Sequence, residues 1–247
     1  MKKNQKYVLF GALLILLSGT IYYIHYLIFR DPHHIFIYLL GDIAFAPIEV
    51  LLISMIIHHF LEKMDQEHRF EKLNMVIGVF FSEVGTKLLE SISDADPDLE
   101  NYRKQFIMDS EWSDRDFDNL VRSMSRMQYN VDAEKVDIEY LRTLLVGKRD
   151  FLVRMLENPT LLEHEEFTEL LRTVFHLTEE LDCRDELSCL PDTDVRHLTG
   201  DIKRVYVLLS KEWFTYMKYT KKNYPYLFSL AIRTNPFDTD STPIVTE

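Results

Sequence analysis

Two apolar runs, Tyr7–Phe29 and Ile35–Phe60, stand at the start of the chain and set its organisation. The first has 23 residues without a formal charge, enough to cross roughly 30 Å of hydrocarbon at about 1.5 Å per residue. It is too long for the core of a signal peptide, has no small-residue cleavage site, and is followed at once by the second run. Only Arg30-Asp31-Pro32-His33-His34 separates the two, so the pattern predicts an antiparallel transmembrane hairpin. Lys2, Lys3 and Lys6 precede it and Lys63, Arg69 and Lys72 follow it, against Arg30 alone in the link. Basic residues concentrate on cytoplasmic flanks, so both termini are expected in the cytoplasm and the chain in the inner (cytoplasmic) membrane as a multi-pass protein. Tyr22, Tyr23, Tyr26 and Tyr38 gather toward the outer side, as an interfacial aromatic belt does.

Asp42 and Glu49 lie inside the second run, seven residues apart and hence on one helix face. Carboxylates at that depth are costly unless paired, wetted or protonated, which makes them functional candidates. In an antiparallel hairpin Asp42 is expected level with Tyr22, with His25 a turn higher, and Glu49 near Ile15 and Ser18. One reading is an ion or proton path; the other is polar packing between membrane helices, with Asp42 bonded to Tyr22 or His25. Pro47 between the acids frees a backbone carbonyl and is expected to kink the helix.

Beyond a polar collar (Glu62–Arg69), Phe70, Leu73, Ile77, Phe80, Val84 and Leu88 recur at helical spacing. This predicts a helical stalk over 61–92. A companion stripe of small residues, Asn74, Gly78, Ser82 and Gly85, implies that another backbone packs closely there. That partner is either the same helix of a second copy or a helix of the C-terminal domain.

From 93 to 237 the pattern is that of a cytoplasmic helical bundle with no sustained period-two alternation. A helix capped by Ser113 or Asp114 is expected to reach about Gln128. A second runs from Asp132 past Gly147 to Leu156 with Val136, Tyr140, Leu141, Leu144 and Leu145 inward. A third, capped by Asn158-Pro159, carries Leu161, Leu162, Phe167, Leu170, Leu171, Val174, Phe175 and Leu177. A long last helix, about Val195–Asn223, interleaves bases with aromatics. Lys211, Trp213, Lys218, Lys221 and Lys222 are the candidates there for contact with an anionic membrane surface. The other reading puts the aromatics in the core and the lysines against neighbouring acidic helices. Residues 238–247 read as a disordered tail, and residues 1–6 as a short cytoplasmic N-terminus.

Composition narrows the function classes. The net charge is −12, yet residues 1–60 hold four bases against three acids, so the acidity belongs to the remainder. Such a domain is repelled by phosphate backbones, and nucleic-acid binding is not expected. Seven glycines in 247 residues favour helices over Gly-rich phosphate loops. Cys183 and Cys189 form neither a disulfide framework nor a zinc pattern and are expected as reduced thiols. The acid-rich stretch Asp94–Asp118 lacks the glycine of a calcium loop. His164-Glu165-Glu166-Phe167-Thr168 begins like a zinc-protease helix, but Thr168 stands where the second histidine belongs. No histidine has a glutamate three residues before it, as a di-iron bundle requires. No metal or cofactor is therefore expected.

Three stretches, Gly41–Glu49, Leu73–Gly85 and Asn223–Phe237, resemble an uncharacterised group of prokaryotic membrane proteins with two spans and a helical cytoplasmic domain. The resemblance implies the same architecture and carries no activity. The sequence thus predicts an all-α protein: a two-helix transmembrane hairpin continuing through a helical stalk into a cytoplasmic helical bundle. Its expected partners are the lipid bilayer, further copies of itself and a cytosolic protein. The expected function is a membrane-anchored interaction or sensory module. The alternatives are a small oligomeric ion or proton conduit lined by the intramembrane acids and, third, a membrane-tethered enzyme.

Overall fold

In the computed structural model, which describes residues 3–161 and 164–245, Arg30 and Asp31 alone separate the first two helices. The expectations that fall on Met1, Lys2, Leu162, Thr246 and Glu247 lie outside the described residues. Helix α1 (Lys3–Phe29) closes with Arg30 at φ 49°, its N–H donated to the Tyr26 carbonyl at 2.8 Å. A left-handed residue is a common way to end a helix. Asp31 then caps α2 (Pro32–Phe80), its Oδ1 accepting from the N–H groups of His33 (3.0 Å) and His34 (3.3 Å). Proline at the first helical position needs no N–H there. Helix α2 runs through Pro47 and the polar collar without interruption.

The chain divides into two units, Met1–Gln66 and Glu67–Glu247. In the first, the apolar side chains point outward: Leu16, Ile43, Leu51 and Ile56 are each more than half exposed. Both helices here are long and apolar enough to cross a membrane. The second unit has a closed core instead. Its first segment, the end of α2, continues through a π-helical turn (Phe81–Gly85) into α3 (Thr86–Ser93). The stripe Leu73, Ile77, Phe80, Val84 and Leu88 is buried there, joined by Phe81, Leu89 and Ile92. The wider π turn adds a residue to the inward face, and both Phe80 and Phe81 turn into the core. Phe70 remains half exposed, edge-on to Tyr219.

A short 3-10 turn (Leu99–Asn101) and α4 (Arg103–Phe106) lead to α5 (Asp114–Met124), whose start follows from its sequence. Ser113 and Asp116 form a capping box, with the Ser113 N–H 2.7 Å from the Asp116 carboxylate. The remaining elements are α6 (Ile138–Gly147), α7 (Arg149–Leu156), α8 (Glu165–Asp182), α9 (Asp192–Asn223) and α10 (Pro225–Arg233). Helix α9 is the centre of the unit and packs against α8, α10, α5 and α3. Among the described residues every regular element is helical.

Four expected boundaries are corrected. Helix α5 stops at Met124 rather than near Gln128, where Ser125–Met127 turn the chain. Asp132 starts only a turn, and the helix begins at Ile138 under Asp137, whose side chain accepts from the Tyr140 N–H. It breaks at Gly147-Lys148, so α6 and α7 are separate helices rather than one. Asn158 caps a single turn through Thr160, while α8 is capped by His164, whose Nδ1 accepts from the Phe167 N–H at 3.1 Å. The residue that mimicked a zinc ligand in the sequence is a helix cap.

At the C-terminus, Asn235 donates to the Phe106 carbonyl and accepts from the Phe237 N–H, holding Phe237 in the core. Asp238–Ser241 form a turn, and Arg103 donates to the Thr239 hydroxyl at 3.0 Å.

Candidate functional site

The polar candidates in the two apolar helices are not brought together. Asp42, Glu49 and Ser18 are exposed on their helices, and Tyr22 is partly covered. His25 meets Phe29 and the ring of His34, whose centroid is 5.8 Å away, rather than Asp42. No side-chain hydrogen bond or ion pair engages Asp42 or Glu49 among the described residues.

The small-residue stripe has its partner within the chain. A Cβ on Gly78 would lie 2.5 Å from the Tyr216 hydroxyl of α9, so any larger residue there forces that ring to shift. Tyr216 stacks on Phe81 at 5.5 Å. Gly85 faces Phe80 and Phe81 of its own helix, where a Cβ would come within 2.8 Å of both rings. Asn74 is buried and donates to the Phe70 carbonyl, whereas Ser82 is exposed.

The basic residues of α9 meet acidic neighbours. Lys211 pairs with Glu166 and Lys218 with Asp118, both at 2.6 Å. Lys221 donates to the carbonyls of Ser110 and Trp112. Trp213 is buried against Phe81, and Lys222 is exposed. Glu212, between Lys211 and Trp213, is itself buried. Desolvation, with the Glu166 carboxylate adding to it, pushes its carboxyl up to about 7, against the pull of Lys211.

Two polar clusters escaped sequence reasoning. In one, the buried Asp96 accepts from the Tyr102 hydroxyl and from the Asp98 N–H (2.9 Å), and burial raises its pKa. Tyr129 and Tyr206 pack beside it with ring centroids 5.0 Å apart, both hydroxyls buried. Burial, reinforced by the Asp96 carboxylate, raises both phenols. In the other, His176 and Glu180 of α8 face His197 and Asp201 of α9. Arg184 binds Glu180 at 2.8 Å and grips Asp194 through two bonds of 2.6 and 2.7 Å, while Arg204 holds Asp201 Oδ1 at 3.1 Å. Arg184 holds the carboxyls of Glu180 and Asp194 below their ordinary range. A repeat of acid or histidine four residues apart on each helix was the signal available in the sequence.

The second unit also carries an open groove of about 1190 Å³ between the end of α2, α5 and α9. Phe70, Phe117, Val121, Tyr219 and Tyr224 contribute apolar and aromatic surface to it. Glu67, Glu71, Asp114 and Asp118 set acids around these, with Arg122, Lys218 and Lys222 as the bases.

Two family descriptions and one relative match the chain. Residues 2–61 match the family described as "MJ1433, N-terminal helical domain", and residues 69–233 that described as "Uncharacterized protein MJ1433, C-terminal helical domain". The chain is similar to the protein called "Uncharacterized protein MJ1433" from Methanocaldococcus jannaschii, at 46% identity over 239 residues and 96% of each chain. No solved structure matches.

Proposed function

Because the chain belongs to the MJ1433 family, with both of its helical domains in one polypeptide, we propose that it is a membrane-anchored interaction module. The first unit is the anchor, two spans in the cytoplasmic membrane with both termini in the cytoplasm. The second presents an acidic helical surface to a cytosolic protein. The groove beside α5 and α9 carries this reading. It combines half-exposed Phe70 and the Tyr219 ring with a charged rim, the mix of apolar floor and polar edge found in protein recognition sites. The outward apolar faces of α1 and α2 support the anchor, since a soluble helix hides such a face.

A photo-crosslinking residue at Val121, in the groove, tests the reading in full-length protein kept in its membrane. One discrete cytosolic protein should be captured, and Phe70→Glu should abolish the capture. Labelling of lipid or of the chain itself in its place refutes the module.

The unpartnered state of Asp42 and Glu49 favours a second reading, a small oligomeric conduit in which these acids line a path between copies. It requires a closed assembly larger than a dimer by light scattering, and flux in liposomes that Glu49→Gln abolishes. A monomer or dimer, or unchanged flux in the variant, rules it out.

A further inference from the structure

We propose that His176, Glu180, His197 and Asp201 bind one divalent transition-metal ion, with Zn²⁺ the best fit to their donors, and that the ion clips α8 to α9. The four side chains come as two pairs, each four residues apart and so on one face of its helix. Nε2 of His176 lies 3.6 Å from Asp201 Oδ2 and 3.8 Å from Glu180 Oε1. Nε2 of His197 lies 3.4 Å from the same Asp201 oxygen and 3.5 Å from Glu180 Oε2. In a tetrahedral zinc site with ligands at about 2.0–2.1 Å, neighbouring donor atoms are about 3.3 Å apart. The four histidine–carboxylate separations exceed that spacing by at most about half an ångström. As the side chains stand, no group of three or more His, Cys, Asp or Glu among the described residues is placed to hold a metal ion. Closing this frame needs small rotations of two histidines that are 49% and 52% exposed, and so free to make them.

Asp201 supplies a second observation. Its side chain is only 4% exposed, and Oδ2, the oxygen turned toward both histidines, is buried without a hydrogen-bond donor. A carboxylate oxygen left this way is costly, and a cation between it and the imidazoles removes the cost. The other oxygens are already engaged as those of metal ligands are. Oδ1 of Asp201 accepts from Arg204, and Glu180 Oε2 accepts from Arg184, which Asp194 holds in turn. Such outer contacts fix the orientation of coordinating carboxylates. Counting the two arginines, three carboxylates (Glu180, Asp194 and Asp201) face two guanidiniums, so the pocket stays negative before the ion enters. Two imidazoles with two carboxylates suit zinc and its first-row neighbours, whereas calcium and magnesium prefer oxygen alone. The alternative is a pure ion-pair network with protonated histidines, which has no use for a metal.

Full-length protein without a histidine tag, in detergent and stripped with EDTA, separates the two. Titration with Co²⁺ should give the visible bands of a four-coordinate nitrogen–oxygen site, saturating at about one ion per chain, and Zn²⁺ should displace them. Outer partners of a metal site alone are worth about 10–100-fold in affinity, so the double variant His176→Gln, His197→Gln should lose more than about 100-fold. Asp201→Asn, which keeps the shape of the buried side chain, should weaken binding as well. No Co²⁺ bands in the wild-type protein, or equal affinity in the wild type and either variant, overturns the proposal. The wild-type result stands whether or not a variant folds.

Discussion

Replacing Glu212 by glutamine should change how the stability of the second unit depends on pH. Glu212 is 3% exposed, and its carboxyl is pushed up to about 7 from the ordinary 4.5. The folded protein therefore holds a proton that the unfolded chain has lost across the window from about 4.5 to 7. A raised folded-state pKa means that stability is fully present below the unfolded value and declines as pH rises through the folded one. At about 1.4 kcal/mol per unit, the decline due to this group is about 3 kcal/mol in all. Glutamine does not titrate, so Glu212→Gln removes that decline. The cost of burying its amide is independent of pH and shifts the variant's curve without tilting it. Glu180 and Asp194, which Arg184 depresses in both proteins, cancel in the difference. Urea unfolding in detergent, followed by fluorescence of Trp112 and Trp213, measures it. The stability difference, variant minus wild type, should rise by about 3 kcal/mol between roughly pH 4.5 and 8. A flat difference would show that Glu212 is not desolvated in the folded state, and the argument from its burial fails.

Gly78→Ala gains about 1 kcal/mol of helix propensity but drives a methyl into the Tyr216 hydroxyl, so a net loss of about 1 kcal/mol is expected. In a Tyr216→Phe background the same substitution should become neutral or stabilising, and a double-mutant cycle on urea midpoints checks the coupling. Tyr102→Phe removes a donor from the buried Asp96 carboxyl and should cost about 1.5–3 kcal/mol, a fall in melting temperature of roughly 2–4 °C per kcal/mol. Ser113→Ala breaks the capping box of α5 and should cost about 1 kcal/mol, while Ser113→Asp restores most of it; an unchanged melting temperature in the alanine variant would refute the cap.

The parts of this fold that were legible in the sequence are those governed by one helix and its own periodicity. Leu73, Ile77, Phe80, Val84 and Leu88 announced their buried face because each sits where a 3.6-residue repeat puts it. The π turn was not legible. Phe81–Gly85 contains no residue that demands an extra backbone step, and it forms where two adjacent phenylalanines both find room inside. The cap role of His164 was not legible for a related reason, since a histidine followed by glutamate reads the same whether its nitrogen meets a metal or the N–H of Phe167. The frame of His176, Glu180, His197 and Asp201 escaped because each helix contributes only half of it, and the register of α8 against α9 fixes the match. A search for glutamate three residues before histidine could not find an arrangement in which histidine comes first and the acid follows one turn later.

The same distinction decides what the small-residue stripe says about self-association. In the sequence, Asn74, Gly78, Ser82 and Gly85 admitted a second copy of the helix as readily as an internal neighbour. In the structure Tyr216 occupies the space over Gly78, and the Gly85 position lies against Phe80 and Phe81. A second copy could reach that surface only by displacing a ring that stacks on Phe81. Ser82 alone remains exposed, and one serine is not an interface. The case for a homo-oligomer therefore passes to the first unit, where Asp42 and Glu49 stand exposed on an apolar face without a partner among the described residues. If copies associate, substitution of these two acids should dissociate them, and Gly78→Ala should leave the assembly intact while it destabilises the second unit.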